Sequence, residues 1–446
     1  MQISIRAVFA AGIAFAFSFM AVFSEALPAG PDNVFVIIAL ALCAGGLAYL
    51  VCTMMKGEKL ILVGLALLAV CLGMVLRYNA FYHMTADYYH FLAPWAENFR
   101  EHGWRAITTE FSDYNMPYLY IVAIIAKIPV YDLYVFKLVS VIFDCALVLA
   151  AMRLGKTLGL SGMRIAALAA AVWLAPTVWL NSAFWSQCDA IYVFFILMAL
   201  TTALEDKPVP SMIFAAVAFS FKLQTIFFLP LYVVLWMGKR VKLWHFGVFP
   251  AAYLVTILPA WVSGKPLLDI LKVYVTQTGT YSDHLNMNSA SMYALLWTDG
   301  HHDVFFRMGL IMAAFFVCAV LAFMYLRRDR LTPRAIMLCA LLFAAGIPWL
   351  LPSMHDRYFY LADILCIVIA MFMPRRWYLA PLCVFSSYAG YHAYLFLAYI
   401  PYIGLVFPAL FMLFIIGTAG HDLWRELTPY APDELPPAPN VTVSAE

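Results

Sequence analysis

Runs of about twenty apolar residues recur along nearly the whole chain, each long enough to cross the hydrocarbon core of a bilayer as a helix. No other feature limits the fold as strongly. A backbone in lipid must satisfy its own hydrogen bonds, so only helices and closed barrels span a membrane. Of 446 residues, 65% are hydrophobic and 12% charged, against roughly 25% charged in a soluble domain. The pattern predicts an all-α polytopic membrane protein of about twelve crossings. They fall near 7–25, 34–54, 60–76, 132–152, 164–180, 190–204, 244–262, 304–326, 335–351, 358–373, 377–391 and 395–418. Arg6 ahead of the first run also suits a signal peptide. That run exceeds the usual ~7–15 residues, so a retained anchor is expected. A net charge of +2 leaves no basic footprint for a nucleic-acid partner. The cysteines, such as Cys52, Cys71, Cys145 and Cys339, lie mostly inside apolar runs with no CxxC pair. They read as small core hydrophobes rather than a disulfide framework or zinc site.

Most basic residues fall in stretches that share one side of this pattern, among them Lys56, Arg153, Lys156, Lys207, Arg240, Arg328, Arg334 and Arg376. The positive-inside rule places that side, and both termini, in the cytoplasm. Segments 78–116, 181–188, 263–303 and 352–357 then share the outer face of the cell membrane. One membrane domain, 1–420, is expected, with two spans in 1–55 ahead of a long first outer loop. The end, 421–446, is rich in proline and poor in apolar residues, which predicts a disordered cytoplasmic tail. A glycosylation sequon at Asn440 has no meaning on that side.

The first outer loop, 78–116, far exceeds the ~4–6 residues of an ordinary connection and carries acids and many aromatics. Amphipathic pieces are expected near 87–102 and 104–110, with Phe91, Trp95 and Phe99 resting on the lipid surface. Segments 117–129 and 211–236 do not fit simple spans, being interrupted by Pro129 and by Lys222 with Gln224. Broken helices at membrane depth need protein or a watery cavity around the freed backbone, so a cavity inside the bundle is expected. Lys127 and Lys137 are expected to snorkel toward the surface.

Three outer segments hold candidate chemistry. Asp87, just beyond the third span, is placed to take a proton from an incoming hydroxyl; a solvated loop acid is the alternative. Asp113 can assist it or cap the helix after Pro117. In 181–192, Asn181, Trp185, Gln187 and Asp189 offer amide, carboxylate and an exposed indole for a sugar, with Tyr88 and Tyr114 as further contacts. Asp189 can equally serve as a helix cap. Arg357, beside His355 and Asp356, suits a phosphate because a guanidinium forks onto its oxygens; an ion pair with Asp356 is the alternative. Lys222 is a second phosphate candidate. His301, His302 and Asp303 can bind metal but read better as a polar loop.

These motifs follow one another as His83-x-x-x-Asp87, Trp95, Gly103, then DYxxPYLY from Asp113, NxAxWxQxD from Asn181 and MHxRYF from Met354. The set resembles the bacterial relatives of GPI mannosyltransferase II, within the GT-C glycosyltransferases, over roughly residues 70–400. The chain departs from that pattern at Ser186, where glycine is usual, at Asn115-Met116, and in its two leading spans. The resemblance implies a GT-C-type helical bundle with a catalytic first outer loop. It further implies an inverting transfer from a polyprenyl-phosphate sugar, commonly mannose, to a glycan, glycolipid or protein hydroxyl outside the membrane. Asp87 would be the base, and Arg357 part of the phosphate clamp. No cofactor is required by that scheme, though a divalent metal on Asp87 and Asp113 is an alternative. A transporter or flippase of a lipid-linked sugar is the competing function, suited by broken helices and a buried Lys222.

Overall fold

The computed structural model describes residues 31–428 except 281 and 299, together with 12, 13 and 15. The first expected span, 7–25, lies almost wholly outside the described residues, as do 429–446 and the Asn440 sequon. The regular structure of the described residues is helical but for one short strand pair. In order the helices are α1 (Pro31–Met54), α2 (Leu60–Ala80), α3 (Ala93–His102), α4 (Met116–Ile125), α5 (Asp132–Thr157) and α6 (Gly162–Leu174). Then come α7 (Pro176–Trp179), α8 (Asp189–Leu204), α9 (Pro208–Phe221), α10 (Pro230–Met237), α11 (Val248–Val262) and α12 (Leu267–Thr280). The last are α13 (His302–Leu326), α14 (Pro333–Leu350), α15 (Tyr360–Phe372), α16 (Leu379–Leu395) and α17 (Val406–Leu427).

Among the described residues seven helices are long and apolar enough to cross a membrane, or eight if the bent pair 162–184 is one span. Shorter apolar helices of 10–17 residues include α4, α8, α9 and α15. The bend of 43° between α6 and the next piece falls at Pro176, which cannot continue a helical ladder. The expected last span at 395–418 is divided instead. Residue Leu395 ends α16, ten residues turn outside any helix, and α17 begins at Val406. The expected tail also starts late, since residues 421–427 continue α17.

Breaks fall where the sequence interrupts its apolar runs. Helix α9 stops at Lys222, whose backbone is extended at φ −147° and ψ 136°, and a 3-10 turn leads on toward α10. In segment 78–116, a π-turn over Tyr88–Leu92 runs into α3 and then a 3-10 turn over Gly103–Thr108. Trp95 and Phe99 do not rest on lipid. They are buried against Met116, Tyr118 and Leu119, because α3 folds back onto α4. Asn115, not Asp113, caps α4, its side chain accepting the Met116 N–H at 2.7 Å.

Buried charges tie these pieces together. Arg77 on α2 and Asp144 on α5 form a fully buried ion pair at 2.8 Å. Ser182 donates to the same Asp144 carboxylate at 2.5 Å, and the Arg77 guanidinium lies 3.5 Å from the Trp173 ring centre. Such pairs offset their desolvation only when further partners complete them, and here they fix the turn that precedes residue 185. Lys137 does not snorkel. Its buried ammonium donates to the carbonyls of Ala80, Phe81 and His83, closing the C-terminal end of α2 where a cation is favoured.

The strand pair is small but well placed. β1 (Asn286–Met287) runs parallel to β2 (Met354–His355), joining segment 263–303 to the residues before Arg357. Helix α16 lies against it: a side chain at Gly390 would meet the Asn288 carbonyl at 2.5 Å. The opposite end of the bundle gathers the basic residues, with Arg153 and Lys207 on Glu205, Arg240 on Asp206 and Arg334 on Glu426.

Candidate active site

The four polar segments expected to share a face do meet, around one cavity of about 380 Å³. Asp87, Trp95, Asp113, Tyr114, Gln187, Asn288, His355 and Arg357 all line it, with Lys222 and Gln224 from the broken helix. A volume of that order suits a small ligand or a sugar-sized group.

Asp87 sits at its centre, one residue before the π-turn. Its Oδ2 accepts from Trp185 Nε1 at 2.9 Å and from Gln187 Nε2 at 2.7 Å, and lies 3.6 Å from an Arg357 terminal nitrogen. Its Oδ1 accepts from the Tyr394 hydroxyl. A carboxylate held on both oxygens has one orientation, which proton abstraction in a fixed geometry requires. The donors owe their aim to local backbone. Ser186 adopts φ +69°, the left-handed region that favours glycine, and so turns Trp185 and Gln187 toward the same oxygen. This is the position where the resembling motif usually carries glycine.

Two cations stand beside it. Lys222 Nζ is 2.5 Å from Asp189 Oδ1 and 5.6 Å from the centre of the Tyr114 ring. Arg357 lies between Asp87 and Asp189, 4.0 Å from the latter, and 5.2 Å from the Trp185 ring centre. Its Nε is buried without a hydrogen-bond acceptor. His355 is held neutral: burial, and then the charges of Arg357 and Lys222, push its pKa down to about 3. Asp356 is pushed the other way, to about 8, by burial that the Arg357 charge only partly offsets. One Asp356 oxygen is buried with no donor, as suits a carboxyl that keeps its proton.

Four expected sugar contacts do not reach the cavity. Trp185 is fully buried rather than exposed, spending its N–H on Asp87. Asn181 and Asp189 lie behind the wall, where the Asn181 amide donates to Asp189 Oδ2 at 2.7 Å and to the Tyr391 hydroxyl at 3.2 Å. Asp189 opens α8 with Cys188 as the cap, so it serves as counter-ion to the two cations rather than as a cap. Tyr88 turns to the far side of the π-turn, its hydroxyl bonded to Asp132, which Arg100 also holds at 3.0 Å. Gln187 and Tyr114 remain at the cavity, 3.4 Å apart.

Asp113 is on the rim, and among the described residues no three His, Cys, Asp or Glu side chains gather closely enough to hold a metal ion. His302 and Asp303 pair at 3.3 Å at the start of α13, outside the cavity lining. Tyr394 is the contact that sequence reading missed. It stands in an apolar run where one tyrosine looks like another, and only the period of α16 distinguishes it: Gly390, Tyr391 and Tyr394 share the face toward the site.

The model of a known family, described as Glycosyltransferase family 87, matches residues 111–352. Among solved structures, ArnT from Cupriavidus metallidurans, crystallised with undecaprenyl phosphate, is similar at 13% identity and a TM-score of 0.49. That likeness covers 81% of this chain and 77% of the other. No curated protein sequence matches the chain.

Proposed function

The chain belongs to glycosyltransferase family 87, and from that premise we propose that it moves a sugar from a polyprenyl-phosphate donor to a hydroxyl acceptor on the extracytoplasmic face. The observation that carries this reading is the approach of Asp87 and Arg357 to 3.6 Å inside one cavity walled by all four outer segments. A substrate seated between them would part this ion pair, leaving the carboxylate at one end of the displacement and the guanidinium at the other.

Asp87 takes the proton of the acceptor hydroxyl as that oxygen attacks the anomeric carbon. The bond from that carbon to the phosphate oxygen breaks, and its electron pair leaves with the lipid phosphate. Attack from the face opposite the phosphate inverts the centre. Arg357 stabilises the charge gathering on the leaving phosphate through the terminal nitrogen that stands beside Asp87, while its Nε faces Asp189. His355, neutral, adds one N–H rather than a charge. Lys222 and Asp189 form a fixed pair that sets the field behind Arg357. A phosphate leaves without protonation at neutral pH, so the scheme requires no second acid. Mannose is the donor sugar proposed, no cofactor is invoked, and the basic end of the bundle is assigned to the cytoplasm with both termini.

Transfer from radiolabelled polyprenyl-phosphate mannose in membranes tests the proposal, with Asp87→Asn and Arg357→Ala at matched expression. Each variant is expected to lose activity by ~10²-fold or more. Because the Asn amide would present N–H to donors that now meet oxygen, thermal melts must show both variants folded. Sugar-lipid movement across the bilayer that survives Asp87→Asn, with no transfer by the wild type, would overturn the reading in favour of a flippase.

A further inference from the structure

Between Ala393 and Gly420 the chain has no charged residue and no histidine, yet only part of this stretch is helix. Residues 396–405 leave α16 and turn before α17, keeping Phe396, Leu397, Tyr399 and Tyr402 exposed. Leu397 is 91% exposed and Tyr402 fully so, both at positive φ, +52° and +62°. A water-facing turn gains nothing from leucine there. The segment lies at the cavity end of the bundle: Tyr394, just before it, holds Asp87, and the Tyr399 hydroxyl reaches Asn288 on the cavity wall at 3.4 Å. Trp297, 85% exposed in the second outer loop, adds another large side chain at this end.

We propose that residues 396–405 form a lip seated in the headgroup region of the bilayer, holding the mouth of the cavity at the level of lipid phosphates. The occupant follows from continuity. Val406, Phe407, Leu410, Leu413 and Phe414 carry the exposed apolar surface straight on into a membrane-crossing helix. Depth follows from the backbone. A non-helical segment cannot face lipid in the hydrocarbon core, because its N–H and C=O groups need partners. Few of those in the lip bond internally, chiefly Ile403 and Gly404 to the Ile400 carbonyl at 3.1 Å. The lip therefore lies where headgroups and water reach its backbone while side chains dip inward, the depth at which tyrosine and tryptophan collect.

Photo-crosslinking tests the lip without using catalysis. A benzophenone side chain is placed at 397 or at 402 in the full-length protein, in nanodiscs of phosphatidylethanolamine and phosphatidylglycerol. Position 206, at the basic end, is the aqueous control. Phospholipid adducts at 397 and 402, at least fivefold above 206, are expected. Adducts no more frequent than at 206, or adducts only when a glycan acceptor is added, overturn the proposal. Kinetics supply a second arm that rests on the transferase reading. Leu397→Asp with Tyr402→Asp should raise KM at least fivefold for a long-chain donor in nanodiscs. It should leave kcat unchanged, and leave KM unchanged for a short-chain donor in detergent. An equal loss with both donors overturns the lip as a lipid contact. If the wild type transfers from neither donor, the transferase reading fails, and the adducts still decide the lip.

Discussion

Asp356 sits one residue from Arg357, yet it carries its own pH signature. Burial raises its pKa in the folded protein to about 8, while an unfolded aspartate titrates near ~3.9. Below the unfolded value both states hold the proton, and Asp356 imposes no penalty. Between about 4 and 8 the unfolded state releases its proton and the folded state does not, so stability falls as pH rises through this window. Asp356→Asn keeps the neutral shape without the proton, and its melting temperature is expected to exceed the wild type's progressively from pH 5 to pH 8. Thermal unfolding in one detergent across that range checks it; a constant difference would mean that Asp356 does not titrate on unfolding. Asp87 and Arg357 were legible at this scale because polar side chains stood out in segments that otherwise only connect spans. Tyr394 was not, since an aromatic in an apolar run looks the same whether it faces lipid or a carboxylate. Asp189 was half legible: its polarity marked the place, but the buried lysine that claims it is 33 residues away.

At the scale of elements, the site depends on how closely α16 approaches the strand pair. A methyl group at Gly390 would lie 2.5 Å from the Asn288 carbonyl and 3.1 Å from the Asp356 Cβ. Backbone cannot yield as a flexible side chain can, so Gly390→Ala must push α16 away from β1 and β2. The expected loss is ~1–3 kcal/mol of stability, together with a fall in kcat, because Tyr394 moves with the helix while Arg357 moves with the strand. Melting and transfer assays on the variant check both; a variant with normal kcat would show that the helix can shift without disturbing Asp87. The broken helix at Lys222 could be anticipated from a lysine in apolar surroundings, since a charge there needs a cavity or a partner. The inward fold of α3 could not. Trp95 and Phe99 have the spacing of a lipid-facing stripe, and periodicity names a buried face without naming what buries it. The division of 395–418 was equally hidden, because apolar composition measures affinity for lipid and not helical continuity.

For the whole molecule, the separation of charge gives the clearest expectation. The basic clusters at one end and the cavity at the other predict that an epitope inserted at Gly300 is reached by antibody on intact cells. One inserted beside Arg328, in the turn between α13 and α14, should be reached only after permeabilisation; the reverse result would invert the proposed topology. Membrane class and the shared face of four segments were legible from apolar length and lysine and arginine bias alone. The ion pair of Arg77 with Asp144 was not, because its halves lie 67 residues apart in separate helices. One contact also sets an order in time. Asp87 and Tyr394 are 307 positions apart, so at about 5–20 residues per second the carboxylate is made roughly 15–60 s before the hydroxyl that holds it. A nascent chain can thus enter the bilayer with the loop that carries Asp87 complete and the cavity still unbuilt. The site closes only when α16 brings Tyr394 to Asp87, and a ribosome that stalls before that helix leaves an inserted but inert protein.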